Sequence, residues 1–146
     1  MALNVDKHAQ EAHRFLNELA EQTGRDKSYA GRLLRATLHT FRDRISTEES
    51  LHFIAQLPLF LKGVYVDNWT ITEDLDRSKT FDDFIIQIMN EGAQTPGNQL
   101  GSKDEVEKDA LSVFRLLDQY ISDGQWEHIG ANLPPQIKEA IMEEVS

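Results

Sequence analysis

Two histidines hold matching places in a segment that occurs twice. Ser46-Thr47-Glu48-Glu49-Ser50-Leu51-His52-Phe53-Ile54-Ala55-Gln56-Leu57-Pro58 returns 76 residues later, without a gap, as Ser122-Asp123-Gly124-Gln125-Trp126-Glu127-His128-Ile129-Gly130-Ala131-Asn132-Leu133-Pro134. An imidazole from each copy has the chemistry of a proton-transfer pair. No serine, cysteine or aspartate arrangement accompanies either ring, as nucleophilic catalysis would need. The plainer expectation is that each ring braces a backbone carbonyl at a tight helix corner. Glu49-x-x-His52 also puts a carboxylate and an imidazole on one helical face, which is half of a carboxylate-bridged metal site. The second copy reads Gln125-x-x-His128, and Gln is a poor ligand. No metal ligands, no cofactor and no catalytic residues are therefore assigned, and the chain is not expected to be an enzyme.

Arg32, Arg35, His39 and Arg42 follow at spacings of three, four and three, so they form one helical stripe beside the apolar one. Such a stripe suits an anion or an acidic partner surface. The nearest acidic surface is the second half of this same chain, within the monomer or across a homodimer. The plainer alternative is a solvated face laced with Asp43. Tyr65, Trp69 and Trp126, with Tyr29, are candidates to line a small-molecule pocket between the two halves. Aromatic residues at helical spacing otherwise build core. Gly92, Gly97 and Gly101 are wrongly spaced for a phosphate-cradling loop and follow no strand signal.

The elements that must position these residues are all helical. Ala12, Phe15, Leu16 and Leu19 give a first helix over residues 5–22, with Asn4 as its cap and Gly24 as its stop. A second helix over residues 27–44 carries a broad apolar stripe from Ala30 to Phe41. Ser46 and Glu49 form a capping box for the third, and Pro58 ends it and opens the fourth, to about residue 66. Residues 67–79 read as a connecting loop. Thr80 caps a fifth helix whose apolar positions run Phe81, Phe84, Ile85, Ile88 and Met89. Residues 92–101 read as a linker. Ser102 with Glu105 opens the sixth helix, Ser122 with Gln125 the seventh, and Pro134 and Pro135 separate it from the eighth.

Between residues 34–65 and 110–141, 7 of 32 aligned positions are identical. The helices that precede them align at an offset of 69, where Phe15-Leu16 and Leu19-Ala20 fall on Phe84-Ile85 and Ile88-Met89. The expected fold is all-α, with about eight helices in two similar four-helix units, residues 1–66 and 80–146, sharing one core.

Arg35-Ala36-Thr37-Leu38-His39-Thr40-Phe41-Arg42-Asp43-Arg44, followed by Ala55-Gln56-Leu57-Pro58 and Gly63-Val64-Tyr65, resembles the bacterial family catalogued as domain of unknown function 2267. The resemblance spans nearly the whole chain and includes the second Ala131-Asn132-Leu133-Pro134, where Asn stands for Gln. It implies an all-helical, duplicated, intracellular protein. It brings no activity and no site residues.

Charge narrows the partners. The 146 residues carry 15 Lys/Arg and 25 Asp/Glu, for a net charge of −10. Residues 1–70 hold 9 of each sign, whereas residues 71–146 hold 6 bases and 16 acids. An acidic half repels nucleic-acid backbones and anionic membrane surfaces, so neither is an expected partner. Absence of Cys points to a reducing compartment, and no signal peptide is evident, so a cytoplasmic protein is expected. The functional expectation is a non-enzymatic interaction module that forms a homodimer or binds another protein. The alternative is a small-molecule-binding protein with its pocket between the repeats.

Overall fold

The computed structural model describes residues 3–72, 74–75, 78–93 and 99–145. Parts of the expected loop (residues 73, 76 and 77) and linker (residues 94–98, with Gly97) lie outside them. Among the described residues there are eight α-helices and no strands: α1 (Val5–Thr23), α2 (Lys27–Arg42), α3 (Thr47–Ala55), α4 (Leu59–Val66), α5 (Phe81–Gly92), α6 (Lys103–Leu117), α7 (Asp123–Gly130) and α8 (Pro135–Val145). None is long and apolar enough to cross a membrane.

Local chemistry sets the boundaries. The side chains of Asn4, Ser46, Thr80, Ser102 and Ser122 each accept from the backbone N–H three residues on, satisfying donors that have no partner inside a helix. Gly24 ends α1 in the left-handed region at φ 69°. The three expected capping boxes differ. Ser102 and Glu105 make both bonds. In α3 and α7 the serine caps, but Glu49 and Gln125 do not reach back, because each side chain is turned inward. Gly92 is not a left-handed stop like Gly24. It lies in the last turn of α5, where an added Cβ would stand 2.6 Å from Leu100 Cγ.

The long helices α2 and α6 pack on each other at the centre. The openers α1 and α5 each touch both of them, α4 and α8 each pack on the long helix and opener of their own unit, and α3 meets α7. Exchanging α1–α4 with α5–α8 turns this set of substantial contacts into itself. The buried apolar residues of all eight helices belong to one cluster. At its middle Phe41, Phe53, Phe114 and Trp126 close a four-ring circuit. The centroid distances around it are 5.3, 5.8, 6.5 and 5.5 Å.

Gly92→Ala should lower the free energy of unfolding by about 1–3 kcal/mol, the usual cost of overpacking. Chemical denaturation of Gly92→Ala, Leu100→Ala and the double variant checks this. Once Leu100 is shortened, the Gly92 substitution should cost almost nothing.

Candidate functional site

The Arg/His stripe of α2 faces the end of α4. A helix leaves its last carbonyls without intrahelical partners, and α2 supplies donors to them. His39 Nε2–H donates to the Val64 carbonyl at 2.8 Å. The Arg42 guanidinium donates to the carbonyls of Tyr65, Asp67 (2.9 Å) and Asn68 (3.1 Å). Asn68 itself adopts a left-handed conformation at φ 55°, so Arg42 clamps the turn that ends α4. Arg35 forms an ion pair with Asp67, and Arg32 bonds Ser28 within α2 at 2.9 Å. His39 and Arg42 are 5% and 7% exposed. The four residues therefore do not form an open face. Two are buried cations or donors spent on backbone carbonyls, where positive charge also opposes the helix dipole.

Burial strips His39 of the water that would solvate an imidazolium and lowers its pKa. The Val64 hydrogen bond acts in the opposite direction, while Arg42 and Arg35 push it lower still. Burial likewise lowers the pKa of Arg42.

The aromatic candidates are divided. Tyr65 is buried, bonds Ser50 Oγ at 2.7 Å and packs on Phe53; burial raises its pKa. Trp126 is also buried, and its indole N–H donates to Asp118 at 2.9 Å. Tyr29 donates to the buried Asp109 carboxylate at 2.6 Å, tying α2 to α6. Trp69 stands edge-on to Tyr65 beside a recess of about 20 Å³ that Arg42 also lines. That is room for little more than one water. Trp126 lines a different hollow, so Tyr65, Trp69 and Trp126 are not gathered around one ligand.

The repeated motif is the joint between the units. The His52 and His128 rings lie 6.3 Å apart across the α3–α7 contact. Among the described residues neither ring bonds a backbone carbonyl, and of the two His128 has a side-chain partner. His128 Nδ1–H donates to Glu49 Oε1 at 2.6 Å, and Glu49 is buried while the His128 side chain is 60% exposed. Asn132 donates to the same carboxylate oxygen at 3.3 Å. Its counterpart Gln56 accepts from the Ser122 N–H at 2.9 Å and so completes the cap of α7 from the other unit. Each amide thus crosses to the first turn of the opposite third helix. A carboxylate that fixes Nδ1–H leaves Nε2 able to take a proton. Among the described residues, however, no Ser, Thr or Lys bonds either ring, and no three His, Asp or Glu are placed to hold a metal ion.

Two adjoining hollows lie elsewhere, along the open side of α7 and α8. One, of about 460 Å³, is lined by Gly130, Ala131, Leu133, Lys138, Glu139 and Met142 among others. The next, of about 340 Å³, is lined by Asp123, Trp126, Glu127, Met142 and Val145. Met142 divides them, so together they make one groove. Each wall is a single helical stripe: positions 123, 126, 127 and 130 on α7, continued by Ala131 at its end, and 135, 138, 139, 142 and 145 on α8. Gly130 contributes to the floor by lacking a side chain. At the equivalent position of the first unit Ile54 packs against the core. Sequence reasoning centred on what the repeats share missed this groove. The signal was present in what they do not share: Gly130 for Ile54, Glu127 for Leu51 and Met142 for Val66.

The described residues thus form an all-α fold of eight helices. The model of the uncharacterized conserved protein family DUF2267 matches residues 12–140. The chain belongs to that family. A comparison with curated proteins finds no match.

Two outcomes follow for the α2 stripe. Arg42→Ala should lose at least about 3 kcal/mol of stability, because several carbonyls lose a charged donor. Arg42→Lys should recover less than half of it, since one ammonium cannot span them, and Arg35→Ala should stay within about 1 kcal/mol. Denaturant titrations of the three variants measure this. The folded state also disfavours protonated His39, so the unfolded chain binds protons first as pH falls through the ordinary value of 6.5. Stability should be full above that pH and decline below it. In thermal melts between pH 7 and pH 5, His39→Gln should show a shallower decline than the native chain.

Proposed function

We propose that the protein is a non-catalytic interaction module, that its two units are copies of one four-helix unit, and that the second copy presents the binding face. The groove between α7 and α8 carries this reading. It has an apolar floor, it is open at the surface, and it arises where the second unit departs from the first. The joint between the units, in contrast, is occupied by internal bonds among Glu49, His128, Asn132, Gln56 and Ser122.

A charge-complementary homodimer has less to draw on than the stripe suggests. His39 and Arg42 are inside, and Arg35, Arg25, Lys103 and Arg115 already face carboxylates of their own chain. A protein partner other than a second copy is therefore favoured. The small-molecule reading moves with the groove, away from the space between the units, because Trp126 is the one aromatic candidate that lines it.

Site-specific photo-cross-linking tests the reading. A photoreactive residue at position 127 should yield adducts in cells, and the same probe at the equivalent position 51 should not. Gly130→Ile, which installs the first unit's residue, should abolish the adducts while the far-UV circular dichroism stays native. Equal adducts at both positions, or adducts indifferent to Gly130→Ile, would refute it.

A further inference from the structure

The groove has a definite charge and shape. Asp123 and Glu127 stand exposed on the α7 wall and Glu139 on the α8 wall. None of the three is in an ion pair among the described residues, and Lys138 is the single base lining the groove. The floor between them is the half-buried Met142, with only the edges of Trp126, Leu133 and Val145, each at most 7% exposed, showing around it. The unsatisfied features are thus an apolar strip and three carboxylates along its edges. An occupant needs apolar side chains on one face and positive charge beside them.

The walls select the backbone form of that occupant. Both are α-helices whose main-chain groups are already bonded within the helix. An extended segment laid between them would find no strand edge and would leave its own N–H and C=O groups unpaired. A helix arrives with those bonds made and packs its ridges into the groove. The walls have 8 and 11 residues, or about 12 and 16 Å at the helical rise, enough for roughly two to three turns of a third helix. Met142, unbranched and polarizable, lies where the partner's central apolar side chain would sit.

We infer that the α7–α8 groove binds a cationic amphipathic helix of another protein, its apolar face on Met142 and the exposed edge of Trp126 and its Lys or Arg residues against Asp123, Glu127 and Glu139. This rests on the reading of the groove as the binding face and adds the partner's chemistry. A second copy of this chain is a poor fit. Its most basic helix, α2, is packed on α1, α4, α5 and α6 and has no free apolar face.

Titration of the full chain, followed by Trp fluorescence and calorimetry, tests the assignment with three model peptides. One is a Leu/Lys amphipathic helix. The second keeps its Leu face and replaces Lys by Glu. The third carries a central Pro that breaks the helix. The Leu/Lys helix should bind with an affinity that falls as salt rises, and the Pro peptide roughly tenfold more weakly or worse. The Leu/Glu helix should not bind. Glu127→Lys with Glu139→Lys should weaken binding of the Leu/Lys helix by roughly tenfold or more, and Gly130→Ile should remove it. If the Lys and Glu helices bind equally and Gly130→Ile abolishes both, the groove stands as a binding face and the cationic assignment falls. Binding of the Lys helix that ignores Gly130→Ile and both charge reversals would be general attraction to an acidic protein and would overturn the inference. So would absence of binding by every peptide, or a concentration-dependent dimer that Gly130→Ile dissolves.

Discussion

The fold depends on a circuit of four rings that neither unit contains by itself. Phe41 and Phe53 come from the first unit, Phe114 and Trp126 from the second, and all four are buried. Fully burying such side chains contributes about 1.5–3 kcal/mol each, and a unit that lost its partner would return two rings to water. The openers reinforce the constraint, since α1 and α5 each lie across both central helices. Helices α1–α4 and α5–α8 thus pack around one core. Within that frame the two groups of four helices exchange volume. Ser50 and Tyr65 bond each other in the first, whereas Trp126 and Ile141 occupy the equivalent positions in the second, and all are buried. A small residue on the third helix goes with a large one on the fourth, and the reverse, as close packing requires.

Polar groups follow the same division between joint and surface. The cations of α2 close the end of α4, Glu49 holds His128 across the joint, and Gln56 and Asn132 cross it in opposite directions. These bonds satisfy groups that would otherwise be buried and unpaired at substantial cost. Arg25, Arg35 and Arg42 of the first unit are engaged within the chain, while Asp123, Glu127 and Glu139 are in no ion pair among the described residues.

Much of the architecture could be read from local rules. The series Phe81, Phe84, Ile85, Ile88 announces α5, and the capping serines and the Leu-Pro breaks mark helix ends within a residue or two, because caps and helical periodicity act over a few positions. The long-range partners were not legible. Nothing near Glu49 says that its carboxylate leaves Ser46 for an imidazole 79 positions away. Nor does the spacing of Arg35, His39 and Arg42 reveal the carbonyls of α4. Their place beside the apolar stripe, rather than opposite it, was a hint of burial that periodicity alone cannot convert into a partner. Trp126 edges the groove, yet most of its ring serves the core. The groove depends on a side chain that is missing, at Gly130, and a missing side chain has no periodicity.

The two tryptophans allow the shared core to be tested directly, because Trp69 packs on α4 of the first unit and Trp126 on the central rings from the second. Trp69→Phe leaves fluorescence that reports the second unit, and Trp126→Phe leaves fluorescence that reports the first. Each variant is unfolded in urea and followed by fluorescence and by far-UV circular dichroism. If one core spans both units, the two signals coincide within each variant as a single transition. A variant in which the fluorescence of one unit changes while substantial helix signal persists would show that the units fold apart, and would contradict a core shared between them.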